Sequence, residues 1–138
     1  MDAAFLRTEE YSGEGLKRVV ESGSWFVGTK NWKPANDAAE FDMMERHLET
    51  DEVFVLLDGH CTLLVACADD GSCRDIRCVP MQAQKVYCIP KGIWHNTITS
   101  RDAKLILAEN RDTSDANSEI HRLNEAEQST LRQALAQA

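Results

Sequence analysis

Apolar and polar residues alternate with a period near two along most of the chain, and a 3.6-residue period is confined to its end. Side chains of a strand point to opposite faces at each step, so this alternation reads as half-buried strands. Strands are expected over 16–20, 25–29, 41–47, 52–57, 61–68, 74–79, 86–89, 96–99 and 104–109. Turn signals separate them: Gly23, Lys33 to Asp37, Asp58-Gly59, Pro90-Lys91-Gly92 and Arg101-Asp102. Asp69-Asp70-Gly71-Ser72 is the clearest hairpin turn. Short strands at a spacing of about ten residues predict an all-β barrel or sandwich. The polar stretch 110–118 reads as a linker. Beyond it, Asn124 to Glu127 has the form of a capping box, and Leu131 and Leu135 lie four apart. A helix from about Glu125 to Gln137 follows, with an apolar stripe so narrow that it either packs on the outside of the barrel or frays.

Two stretches carry polar groups where apolar ones belong. Phe41, Met43, Glu45 and His47 share one strand face, so a carboxylate and an imidazole stand among apolar neighbours. After the polar turn 48–51, Glu52 opens a nearly continuous apolar run. The simplest geometry is two neighbouring strands with Glu45, His47 and Glu52 on one side of a sheet. In the second stretch, strand 86–89 meets the Pro90-Lys91-Gly92 turn, which delivers His95 to the start of the next strand. Two histidines and one or two glutamates from separate strands suit a divalent ion: zinc, manganese, nickel or iron.

These stretches resemble the two motifs of the cupin superfamily. The first, His-x-His, three or four residues, Glu, six residues, Gly, is matched by Glu45-x-His47, Glu52 and Gly59. The second ends Pro-x-Gly-x-x-His, matched by Pro90, Gly92 and His95. Glu45 stands where the motif has its first histidine, and the glycine that opens the second motif is replaced near Gln84. The resemblance implies a double-stranded β-helix, the jelly-roll barrel, with a short C-terminal helix. It divides the chain into an N-terminal extension (1–35), a barrel core (36–110) and a linker with the helix (111–138). Within cupins, Glu45-Arg46-His47 and Trp94-His95 are similar to the ureidoglycolate lyase family, whose members split ureidoglycolate into glyoxylate and urea. That family carries an amide near the position of Glu52.

His47, Glu52 and His95 are therefore the expected metal ligands, with Glu45 as a fourth. Glu45 has two other readings: an uncoordinated acid or base, its pKa raised by burial, or a partner of a buried lysine or arginine. Arg46 alternates away from both neighbours and should point out of the barrel. Lys91, Tyr87, Trp94, Met43 and Phe54 are the candidate ligand contacts. The expected function is a metal-dependent lyase or isomerase acting on a small carboxylated or carbonyl-bearing metabolite. A non-catalytic small-ligand-binding cupin is the alternative.

The net charge of -8 argues against nucleic acid or an anionic membrane as partner. The five cysteines lack Cys-x-x-Cys spacing, and no signal-peptide core is visible near Met1. Free thiols in a reducing, cytoplasmic setting are expected. A zinc site from Cys67, Cys73 and Cys78 lacks a known spacing. Trp25, Phe26 and Trp32 make the N-terminal segment too apolar for a free arm, and a homodimer through its strands is expected.

Overall fold

The computed structural model describes residues 5–137. Its strands are β1 (Leu16–Ser22), β2 (Trp25–Asn31), β3 (Met43–His47), β4 (Glu52–Asp58), β5 (Cys61–Ala66), β6 (Arg77–Pro80), β7 (Val86–Ile89), β8 (Trp94–Thr99), β9 (Lys104–Asn110) and β10 (Ser118–Arg122). One α-helix, α1 (Glu125–Ala136), ends the chain. The strands form two antiparallel five-stranded sheets, β1-β2-β9-β4-β7 and β10-β3-β8-β5-β6. This is the expected jelly-roll barrel.

Alternation decides which residues fill the barrel. Phe26, Phe54, Leu56, Leu63, Leu105 and Leu107 come from both sheets and form one buried cluster between them. A second cluster lies on the outer face of the β3-β8-β5 sheet, where Met44, Leu64, Trp94 and Ile98 meet Leu123 and Leu131. Leu63 and Leu64 are adjacent and belong to different clusters, as strand geometry requires. Helix α1 therefore covers the outside of that sheet. Asn124 caps it: its side chain accepts from the Glu127 N–H, and Glu127 accepts in return.

Several expectations change. β3 and β4 are not neighbours: they lie in opposite sheets, because the 48–51 turn carries the chain across the barrel. The barrel also extends beyond 36–110, since β2 pairs with β9 and β10 pairs with β3. Of the three N-terminal aromatics, Phe26 is wholly buried in the interior cluster. The Trp32 indole N–H donates to Asp37 at 2.9 Å, and Arg101 stacks on its ring. Trp25 remains 46% exposed. Strand β10 falls beyond the supposed linker; as an edge strand it is mostly polar, so it lacked an apolar signature. The turn at Gly71 forms, but β6 begins only at Arg77, because Cys73 and Ile76 pack into the outer cluster instead.

Two backbone positions fix the motif turns. Gly59 has a φ of +71, and a Cβ there would lie 2.7 Å from the Ala103 backbone, so only glycine fits. Gln84, where a cupin has glycine, adopts a φ of +72 regardless. An L-residue in that region carries a strain of about 1–2 kcal/mol.

Candidate metal centre

His47 and Glu45 project from β3, His95 from β8, and Glu52 from β4 on the facing sheet. Glu45 and His95 are register partners across β3 and β8. The two motif turns are tied together, which sets the approach of β4 to β8. The Gly92 N–H donates to the His47 carbonyl at 2.7 Å, and the Lys91 N–H donates to Asp51 Oδ1 at 2.9 Å.

Each imidazole is oriented by its Nδ1. That of His95 lies 2.9 Å from the Ile93 carbonyl, and that of His47 lies 2.8 Å from Ser118 Oγ. Both Nε2 atoms consequently turn inward. His95 Nε2 is 2.9 Å from Glu52 Oε1, and His47 Nε2 is 3.3 Å from the same oxygen. Holding one ring nitrogen by a carbonyl or hydroxyl fixes tautomer and direction, the usual support for a metal-binding histidine.

A residue without a sequence assignment joins them. Glu109, near the end of β9, places Oε2 3.6 Å from His47 Nε2 with its side chain only 6% exposed. The signal was present in the alternation Leu105-x-Leu107-x-Glu109, which puts a carboxylate on the face of two buried leucines. Glu45, His47 and His95 form one group of donor atoms within 4.8 Å of one another, and His47, Glu52 and Glu109 form another.

The electrostatics follow from this packing. Burial alone would lower the His47 and His95 pKa values. The hydrogen bond and charge of Glu52 outweigh it and leave both raised. Burial would raise Glu52, but the two imidazoles hold its carboxyl well below the ordinary range. Glu109 is pushed well above it, by burial first and then by the charge of Glu52.

These residues line a cavity of about 340 Å³. Phe54 forms part of its wall, as do Asn96, Thr97, Lys30 and Lys33. Lys91, Tyr87, Trp94 and Met43 do not line it. Trp94 faces the outer cluster, donates its indole N–H to the Gly71 carbonyl and is stacked by Arg46. Tyr87 packs against the interior cluster and spends its hydroxyl accepting from the Gln82 N–H. Lys91 is exposed and belongs to a separate surface cleft with Trp25 and Glu49. The Met43 backbone carbonyl accepts from Asn96 and its strand partner is Arg122. Arg46 points outward as expected and is bonded to Glu119. Glu45 makes no ion pair with a lysine or arginine among the described residues, although it shares the cavity wall with Lys30. His60 is exposed, and His121 is half-buried against Glu127, away from the cavity.

A jelly-roll barrel with this inward histidine and carboxylate set defines the protein as a cupin. Its chain belongs to the ureidoglycolate lyase family, whose sequence profile matches residues 12–130. No curated protein sequence matches it significantly. Among solved structures it is similar to a cupin-2 domain protein from Shewanella frigidimarina, at 22% identity over 73% of this chain and 85% of that one, with a TM-score of 0.51. It is similar to Pac13, a nucleoside dehydratase of Streptomyces, at 12% identity over 86% and 89% with a TM-score of 0.57. Hydroquinone 1,2-dioxygenase from Sphingomonas is similar at 8% identity over 75% and 69%, with a TM-score of 0.57. These likenesses support the fold alone.

Proposed function

We propose that the protein is a divalent-metal-dependent lyase that cleaves a small carboxylated carbinol adduct such as ureidoglycolate. The observation that carries this reading is the convergence of two Nε2 atoms on one buried carboxylate, with distances of 2.9 and 3.3 Å, inside a cavity of substrate size. Donors each about 2.0–2.2 Å from one ion lie roughly 2.8–3.6 Å apart, from octahedral to tetrahedral angles, so these atoms fit a shared zinc-like or manganese-like ion. His47, Glu52 and His95 would hold it, with Glu45 as fourth ligand or as acid and base. A bound ion would supply Lewis acidity at a hydroxyl or carbonyl oxygen.

The chain's own residues account for the rest. Lys30 is half-buried on the cavity wall and has no hydrogen-bond or ion-pair partner among the described residues. Burial lowers its pKa, against the opposing charge of Glu52. An ammonium held there suits a substrate carboxylate. Glu45 lines the cavity wall, and in this reading it would take the adduct's hydroxyl proton as the carbon–nitrogen bond breaks and return it to the leaving nitrogen. The products would be an aldehyde acid and an amide.

Incubation with ureidoglycolate should release glyoxylate above the spontaneous rate in the presence of one of the divalent ions manganese, zinc, nickel or iron. No enhancement with any of them would remove this reaction. A thermal shift with ligand and no turnover would favour the binding-protein alternative. We also propose a homodimer through the N-terminal strands. Strand β1 is a sheet edge, and Leu16 and Trp25 remain 43% and 46% exposed beside it. A monomer mass by light scattering at tens of micromolar would contradict it.

No helix among the described residues is long and apolar enough to cross a membrane.

A further inference from the structure

We infer that Glu109 is the fourth protein ligand of the metal ion, and that Glu45 is left uncoordinated to face the substrate. The inference rests on the metal-dependent reading above and assigns a residue outside both cupin motifs. Its first support is an orphaned atom. Glu109 Oε2 is buried and has no hydrogen-bond partner, although a buried carboxylate oxygen left unpaired is costly. The atom is aimed into the cluster, 3.6 Å from His47 Nε2, and its side chain is 6% exposed. Glu52 Oε1 lies 3.3 Å from that same nitrogen. Donors on one ion at about 2.0–2.2 Å are separated by roughly 3.3–3.6 Å in a tetrahedral arrangement, so the Glu109 spacing is that of a neighbouring ligand.

The second support is topology. Val53 pairs with Ala108, so Glu52 and Glu109 stand side by side one step further along β4 and β9. The first motif's strand and a strand outside both motifs thus present two carboxylates to the histidines on the opposite sheet. The third is charge. With two neutral imidazoles, Glu52 and Glu109 together balance a divalent ion. A third carboxylate would leave a net negative charge in a site whose other two acids are 7% and 6% exposed. Glu45 differs from both. It is half-buried, lines the cavity and retains access to it. An ion held without Glu45 leaves that carboxylate available for proton transfer.

Cobalt(II) titration of the metal-free full chain, followed by its visible absorption, separates the two glutamates. Glu109→Gln should raise the cobalt dissociation constant at least about tenfold and change band position and intensity, since even outer-shell losses cost about 10–100-fold. Glu45→Gln should bind within about threefold of the wild type, with the wild-type spectrum. Circular dichroism of the metal-free variants checks folding. If Glu109→Gln does not fold, Glu109→Asp carries the test, and a shifted spectrum with weaker binding supports the assignment. Wild-type affinity and spectrum in the folded Glu109 variant would overturn it while leaving the metal reading intact. A wild-type protein that takes up no cobalt, manganese or zinc would overturn both.

Discussion

Replacing Glu52 by glutamine removes one charge from the barrel and little else. The side chain is 7% exposed, and its Oε1 lies 2.9 Å from His95 Nε2 and 3.3 Å from His47 Nε2. A hydrogen bond to a charged group contributes about 1.5–3 kcal/mol and a neutral one about 0.5–1.5, so two downgraded bonds cost roughly 2–3 kcal/mol. The loss should depend on pH with a definite sign. Both histidines have folded pKa values raised above the ordinary 6.5, so their contribution is fully present below 6.5 and fades as pH rises through the folded values. Glu52 is depressed below its ordinary 4.5, so its contribution is present above 4.5 and fades as pH falls through the folded value. The window between is where the ion pairs act together. Urea unfolding with chelator present should show Glu52→Gln less stable by roughly 2–3 kcal/mol near pH 5.5. At a pH above both folded imidazole values the rings are neutral and the wild type buries an unmatched carboxylate, so the variant should be as stable or more so. The same difference at both pH values, or no loss near pH 5.5, would refute the charge-pair account.

The remaining perturbations probe the helix, a strained turn and the cavity wall. Leu131→Ala empties a site 4% exposed under Trp94 and Leu123, and should cost about 2–3 kcal/mol in thermal or urea unfolding without changing metal uptake. Gln84→Gly relieves a φ of +72 and should raise stability by up to about 1 kcal/mol, once the entropy of glycine is set against the strain. Lys30→Met should raise KM for a carboxylated substrate about tenfold or more with kcat little changed, the pattern of lost uniform binding. An equal fall in kcat and kcat/KM would instead place Lys30 in the chemistry.

The barrel was legible because its signals are local. Period-two alternation, Gly59 and the Pro90-Lys91-Gly92 turn each follow from the backbone of a few neighbouring residues. The motif spacing also brings His47, Glu52 and His95 together, although only β3 and β8 lie side by side and β4 faces them from the other sheet. What sequence spacing could not show was which side of a crossover each strand joins. Glu109 illustrates the consequence. It lies 57 residues beyond Glu52 in the chain yet next to it in the sheet, one step past the Val53–Ala108 pair. Trp94 and Lys91 mislead for the opposite reason: each is adjacent in sequence to a site element, but strand alternation or turn exposure aims it elsewhere. Strand β10 was hidden by its polarity, since an edge strand bonded on one side need not be apolar.

Metal content measured on protein purified without a polyhistidine tag tests the central claim most directly. After equilibration with manganese, zinc, nickel or iron(II) and removal of free ion, elemental analysis should find about one divalent ion per chain, bound through nitrogen and oxygen donors. His47→Ala and His95→Ala should each abolish it, because each removes an inward Nε2 beside Glu52. His60→Ala and His121→Ala should retain it, because neither residue lines the cavity. A wild-type chain that retains none of the four ions, or ion content unchanged in His47→Ala and His95→Ala, would contradict the metal centre.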